Sequence, residues 1–524
     1  MNMANRLGTF IVLLLATSAW AQEAFPERVP VNPQAASQKF MPSSSLQQTG
    51  AIHTLEPLSP ARIAATDEAA RNRFANVNPG PVRVGLVRSV GATPLSLAGG
   101  SFSRSLSSEG ENVWTLAIRS SGAIGIRIHF SKFDVGNGSV LVSARDAEGV
   151  IVHGPYTKKG PNQTGDFWTA SLPGDLAFIE VSGADQPRLE VAEILHFDKH
   201  PTASVQDESF APKDHLPCHL DVMCYNSPPV HPHARDAIGQ MNYIENSIGW
   251  VCTGTLLNDL DNETFVPYFL TAFHCISTQA VTNTLEVVWF WQHDSCGVRL
   301  PNYFRLPRNT GGTLLETNPT DGGNDMSFIR LDDPLPGGVG LAGWTTGSLP
   351  ASFVGIHHPD GSWKRVTFQH EQRVVSTCTN SPMSQYHYCL QDDGVTEGGS
   401  SGSGIFNDTG QLMGQLLGSC PPNNDFVEAC DNRDEYNTMY GRFNVTYPLI
   451  RRWLEVGGTI HVNSIYTGEE LGTPDKPFNT VAEAINFAWN GARIKIQAGS
   501  YPEALTASTQ VLLLANGGTV TIGK

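Results

Sequence analysis

Apolar and polar positions along this chain change their rhythm several times. From about residue 81 to 197 apolar residues alternate over short runs, as in Val113-Trp114-Thr115-Leu116-Ala117-Ile118, Ile126-Arg127-Ile128-His129-Phe130 and Val140-Leu141-Val142. Side chains on a strand point alternately to opposite faces, so these runs read as half-buried strands. Gly136-Asn137-Gly138, Gly160-Pro161-Asn162 and Pro173-Gly174-Asp175 punctuate them as turns. The expected unit is a β-sandwich over 81–197. Residues 22–80, rich in Pro, Ser, Ala and Gln, read as an extended leader, and the polar, aperiodic stretch 198–215 reads as a linker.

Strand-like runs return in 216–455, for instance Leu285 to Trp291 and Gln411 to Leu417. That region ends in Tyr447-Pro448-Leu449-Ile450-Arg451-Arg452-Trp453-Leu454, whose apolar residues have helical spacing. After Gly457-Gly458, IHVNS and RIKIQAG read as short strands around a helix from Val481 to Trp489. Thr480 is its N-cap, Glu483 stands three residues on, and Gly491 follows its end. The whole is mostly β.

Composition narrows the class. A chain of 524 residues with 40% hydrophobic and 16% charged residues is globular, with about three or four units at ~150 residues each. Its net charge of −16 argues against general nucleic-acid or anionic-membrane binding, which needs clustered Lys and Arg. Arg6, the apolar run Phe10 to Ala16 and Ala19-Trp20-Ala21 read as a signal peptide over 1–21, and no later run is long enough to span a bilayer. The expected product is secreted and soluble. All nine cysteines lie between Cys218 and Cys430, so one region of an exported chain is expected to be disulfide-stapled, with at least one thiol left over.

Three short stretches carry chemistry. TAFHC (271–275) offers His274 as a base, and EGGSSGSG (397–404) offers a serine in a glycine-rich turn. A serine hydroxyl is a poor nucleophile until a base takes its proton. Between them NDMSFIRL (324–331) places Asp325 at the head of an apolar strand, where it can orient the imidazole. The chain order His, Asp, Ser differs from the order in α/β-hydrolases and in subtilisins. Ser400, Ser401 and Ser403 are neighbours, and the residues alone do not say which attacks. His357-His358 and the pair His231 with His233 lack nearby Cys or acid at ligand spacing, so no metal and no cofactor are expected.

These stretches resemble the active site of trypsin-like serine proteases. CHLDVMC (218–224), FLTAFHC (269–275), GIHHPDGSWKR (355–365), GVTEGGSSGSGIF (394–406) and MGQLLGSC (413–420) are similar, in order, to the bacterial lysyl endopeptidase group. The resemblance implies a double β-barrel closed by a C-terminal helix over 216–455 and hydrolysis of polypeptides through an acyl-enzyme. His274, Asp325 and Ser401 would be the triad, with the N–H groups of Gly399 and Ser401 as the oxyanion hole. It also implies disulfides Cys218–Cys420, Cys224–Cys296 and Cys252–Cys275, and we add Cys378–Cys389 as an expectation.

The implied substrate pocket is Thr438, Val395, Leu417 and Ser419. Lysine-specific members carry an acid where Thr438 stands, and Val395 is equally unable to neutralise a buried ammonium, so lysine specificity is not carried over. Asp425, Glu428, Asp431, Asp434 and Glu435 form an acidic insertion read as a solvated loop. Ser400 occupies the position where many relatives hold Asp, which removes the partner of a freed N-terminal amine.

The sandwich resembles the jelly-roll-like segment that precedes secreted bacterial trypsin-like proteases, which implies a propeptide; a retained accessory domain is the alternative. Residues 456–524 are similar to the first rung of parallel β-helix proteins, with glycan or cell-surface contact as a further possibility. A catalytically silent trypsin-like binding protein, or a surface adhesin using the two flanking domains, is the rival reading.

Overall fold

The computed structural model describes all residues except 1–21, 32–51, 74–79, 108–109, 111, 200–217, 226–227, 262, 373–380, 421–429, 431–436, 508 and 524. The expected signal peptide, Cys378, the acidic insertion and nearly all of the linker therefore lie outside the described residues.

The leader is more than an extended strand. Two short strands, β1 (Glu23–Ala24) and β2 (Glu27–Arg28), lie against residues 340–345, and Pro60–Arg73 is a helix. Its Ala- and Arg-rich sequence has the intrinsic propensity for one. The sandwich follows. One sheet contains Asn112–Ser120, Leu176–Ser182, Ser139–Asp146 and Gly149–Thr157, and the other contains Gly125–Asp134, Arg188–Phe197 and β3 (Val82–Ser89). Their inward residues, Leu116, Ile118, Ile128, Phe130, Val142, Ile179 and Ile194, meet in one buried cluster.

The region after the linker is one nearly closed and one closed β-barrel. In the first, β4 (Ile238–Glu245) pairs with β5 (Ile248–Leu257), and β5 pairs with β6 (Tyr268–Thr271). The ring runs on through β7 (Glu286–Val288), β8 (Arg308–Thr310), β9 (Gly312–Asn318) and β10 (Met326–Leu331). Only Gly311 separates β8 from β9, so they act as one bent strand and six strands nearly close. In the second, β11 (Phe353–His357), β12 (Arg365–Glu371), β13 (Tyr386–Asp393), β14 (Gly404–Phe406), β15 (Gln411–Cys420) and β16 (Asn437–Arg442) close another six-stranded ring. The fold is the expected double β-barrel.

Helix α1 (Phe443–Val456) closes the region, burying Phe443, Tyr447, Ile450, Trp453 and Leu454, with Trp344 against Phe443 and Tyr447. Beyond it β17 (Thr459–Val462), β18 (Arg493–Tyr501) and β19 (Leu512–Ile522) pair in parallel. The helix α2 (Val481–Phe487) opens with Thr480 and Glu483 in a reciprocal capping box. No helix among the described residues is long and apolar enough to cross a membrane.

The sandwich is not a separate bead. The first half of β5 pairs antiparallel with β3, Ile248 opposite Leu86 and Val251 opposite Val82, so a sandwich strand extends the barrel sheet.

Candidate active site

His274 follows β6, and its geometry is set by Asp325 at the head of β10. Because β6 and β10 are antiparallel neighbours, Thr271 opposite Ser327, the two residues emerge at the same end of barrel one. The His274 Nδ1–H donates to Asp325 Oδ2 at 2.7 Å, and the His274 backbone N–H donates to Oδ1 at 3.1 Å. Thr320 Oγ1 adds a third donor to Oδ1 at 2.5 Å. Asp325 is buried at 1% exposure and has φ 59°, a left-handed conformation that Asp tolerates better than most residues. Its backbone is held in turn: its carbonyl accepts the Phe273 N–H, and Gln415 Nε2 donates to the Asn324 carbonyl at 2.7 Å. Such an acid fixes the ring tautomer and favours the imidazolium when the ring gains a proton.

Ser401 reaches the same place from barrel two. Its carbonyl accepts the Thr253 N–H at 2.9 Å, and Cys275 Sγ lies 3.9 Å from that oxygen. The disulfide Cys252–Cys275 thus joins β5, whose Thr253 bonds Ser401, to the residue after His274. Gly402, with φ +82°, packs against Thr253 and Thr271 so closely that a Cβ would overlap both. Ser401 is fully buried. Gly399 has φ +87°, and a Cβ there would meet the His358 carbonyl at 2.9 Å, so a side chain is excluded by conformation and by space. The Gly399 N–H donates to the Gly80 carbonyl at 3.1 Å. A carbonyl from the segment just ahead of the sandwich therefore sits on the N–H expected to bind an oxyanion.

Of the residues expected in the pocket, Thr438, Leu417 and Ser419 lie on neighbouring strands of barrel two, and Val395 follows β13. Thr438 on β16 stands opposite Ser419 on β15 and Cys389 on β13. Leu417 lies in the β15 irregularity beside them and packs with Tyr386, Tyr388 and Met439. Thr438 and Val395 are buried at 3% and 2% exposure.

Two disulfides agree with expectation, Cys224–Cys296 and Cys252–Cys275. The other two expectations are corrected. Cys218 pairs with Cys430, whose Cα lies 5.7 Å from its own, and not with Cys420. Cys420, at the end of β15, is disulfide-bonded elsewhere. Cys389 is a buried free thiol and so does not pair with Cys378: it points into barrel two among Phe353, Ile405, Met413, Leu416 and Tyr440, and burial pushes its pKa well up.

Among the described residues one group of Cys, His or acid has ligand spacing, Asp221 with Cys224 and Cys296, and its two sulfurs are already joined to each other. His231 caps a short helix through the His233 N–H. Sequence reasoning missed three contacts: the Glu397 carboxylate on His219 Nε2 at 3.0 Å, Ser400 on His357, and Gly80 on Gly399. His219, His357, Ser400 and Glu397 all lie inside the quoted motifs. Nothing around Gly80 signals its destination.

Comparison with known proteins names the region. Residues 213–436 match the family model "Lysyl endopeptidase, C-terminal domain". This part of the chain is similar to the lysyl endopeptidases. Lysyl endopeptidase of Pseudomonas aeruginosa is 27% identical over 302 residues, 55% of this chain. The match spans 63% of that relative's length, so the chain covers less than two thirds of it. Among solved structures, the active form of the Rv3671c protease from M. tuberculosis aligns with 47% of this chain and 93% of its own at 13% identity and TM-score 0.27. An inactivated protease paralogue of the scabies mite aligns with 43% of this chain and 97% of its own at 11% identity and TM-score 0.30. The fold assignment rests on the barrels' own strand pairing.

Proposed function

We infer that residues 216–455 are a serine endopeptidase of a secreted protein. Ser401 attacks the peptide carbonyl, His274 takes the hydroxyl proton and returns it to the leaving amine, and Asp325 holds the imidazole. The N–H groups of Gly399 and Ser401 receive the oxyanion, where one lost donor costs ~3 kcal/mol. Water then hydrolyses the acyl-enzyme by the same proton route. The observation that carries this reading is the His274–Asp325 pair standing beside a Ser401 segment bonded to Thr253.

Residues 22–199 act as a propeptide that holds the protease latent, with the Gly80 carbonyl on Gly399 in support. The relative is named for lysine, but Thr438 and Val395 bring no charge to this pocket, so a neutral or small side chain at the cleavage site is the preferred substrate. A fluorophosphonate should label the processed protein and fail on Ser401→Ala. It should label the uncut chain more slowly. Absence of labelling from processed wild-type protein sinks the endopeptidase reading. Equal labelling of the uncut chain and of protein freed of residues 22–199 sinks the latency, and a strong lysine preference in a peptide library sinks the pocket assignment.

A further inference from the structure

The GIHHPDG turn lacks the partners of a metal site, yet it cradles the loop that carries Ser401. His357, the last residue of β11, is fully buried, and its Nδ1 shares a 2.8 Å hydrogen bond with Ser400 Oγ. That hydroxyl also accepts the Glu397 N–H at 3.2 Å, while the Ser400 N–H donates to the Glu397 carbonyl at 3.0 Å. The neighbouring residues are tied to the same turn. The Asp360 N–H donates to the Gly398 carbonyl at 2.5 Å. Thr253 Oγ1 donates to the Gly399 carbonyl at 2.8 Å and accepts the His358 N–H at 3.1 Å.

Gly398, Gly399 and Ser400 are thus each fixed before the chain reaches Ser401. The fixing element at Ser400 is neutral. Burial, with His219, His358 and Arg365 nearby, holds the His357 pKa well below the usual imidazole range, and Ser400 has no charge to offer. An Asp at this position would need a cation, which in a trypsin-like zymogen is the amine freed by cleavage. Ser400 needs none.

We propose that His357, through Ser400, is a positioning residue that holds the oxyanion donors of Gly399 and Ser401 in place without help from a freed N-terminus. The proposal rests on the endopeptidase reading and adds to it that latency comes from occupation of the site, not from disorder of its loop. A loop held by hydrogen bonds alone is ready as soon as the Gly80 carbonyl leaves.

The test uses processed protein, a chromogenic peptide substrate and fluorophosphonate labelling, with thermal unfolding recorded for every variant. Ser400→Ala should lower kcat and the labelling rate about 10- to 100-fold with KM within about twofold, the pattern of an interaction used in the transition state. Ser400→Thr, which keeps the hydroxyl, should restore most of the rate. His357→Gln should stay closer to wild type than His357→Leu, and Ser400→Ala combined with His357→Leu should cost no more than the worse single change. Acetylating the N-terminal amine of the processed wild-type protein should leave its labelling rate unchanged. A Ser400→Ala protein that melts lower but keeps its kcat overturns the proposal, and so does loss of labelling on acetylation. If Ser400→Ala does not fold, equal rates for Ser400→Thr, His357→Gln and wild type support it, and a hundredfold loss in both conservative variants overturns it. Unlabelled wild-type protein defeats the endopeptidase reading instead.

Discussion

The two regions that flank the barrels are joined to them in opposite ways. The sandwich shares its core with barrel one: Val288, Trp291, Tyr303 and Phe304 belong to the same buried cluster as Ile126, Phe130 and Leu172. It also shares charge. Arg127 of the sandwich donates to the Thr169 and Thr284 carbonyls at 2.8 Å each, while Glu286 of β7 accepts the Ser171 N–H at 2.8 Å and pairs with Arg308 at 3.0 Å. The C-terminal segment instead has its own core of Val456, Ile460, Val462, Val481, Ala484, Ile494, Ile496 and Tyr501. Its ties to barrel one include the exposed ion pair Arg493–Glu263 at 3.3 Å and Arg330 4.9 Å above the Trp489 ring. A buried charge that is completed by another region requires that region to fold with it. An independent core does not. The sandwich and barrel one are therefore one folding unit, and cutting the linker alone leaves their shared face buried.

The largest effect should come from Glu286→Ala. Two buried guanidinium groups depend on that carboxylate, and removing one partner of a buried ion pair costs about 3–5 kcal/mol. The melting temperature of the uncut chain should drop by roughly 10 °C. A drop of only a degree or two would mean that the interface carries little of the fold.

Acid should come next. His153, which donates Nε2–H to the Ser171 carbonyl at 2.9 Å, has its pKa lowered from 6.5 to about 4, chiefly by burial and then by Arg308. His196, which shares a hydrogen bond with Ser120 Oγ, is likewise lowered to about 4 by burial and then by Arg88. Both folded values lie below the unfolded one, so the unfolded chain binds more protons between them. Stability is full above pH 6.5 and falls as pH drops toward 4. Glu286, held at about 2, adds a further loss only below the ordinary glutamate value of 4.5. His153 contributes at most about 3 kcal/mol of this. Denaturant midpoints against pH should show the first decline between 6.5 and 4 and a shallower one in His153→Gln; a flat profile there would refute the assignment.

Much of this was legible in the residues. Strand alternation marked the sandwich, the capping box marked α2, and TAFHC, Asp325 and EGGSSGSG marked residues that the fold brings to one end of barrel one. Motifs are local, and the contacts missed were not. Cys218 pairs across 212 residues with Cys430, and nothing in the residues beside it distinguishes that sulfur from the one at Cys420. The Arg127–Glu286 arrangement joins positions far apart in sequence whose residue types separately suggest exposure. The helix Pro60–Arg73 buries only Ala70, so no apolar stripe announced it.

The smallest effects should mark the other side of the comparison. Arg493→Ala removes an exposed ion pair worth 0–1 kcal/mol and should shift the melting temperature by no more than a degree or two. Ending the chain after Gly458 goes further, since it uncovers apolar surface that Phe487 and Trp489 shield beside the main core. A few degrees of melting temperature should be lost. Labelling of Ser401 should stay within about twofold of the full-length protein, because the hydrogen bonds described for His274, Asp325, Gly399 and the GIHHPDG turn all go to residues before 458. If that truncation instead abolished labelling while the protein stayed folded, the C-terminal segment would be part of the catalytic unit. The contrast between a shared core and a separate one would then fail at the end where it predicts independence.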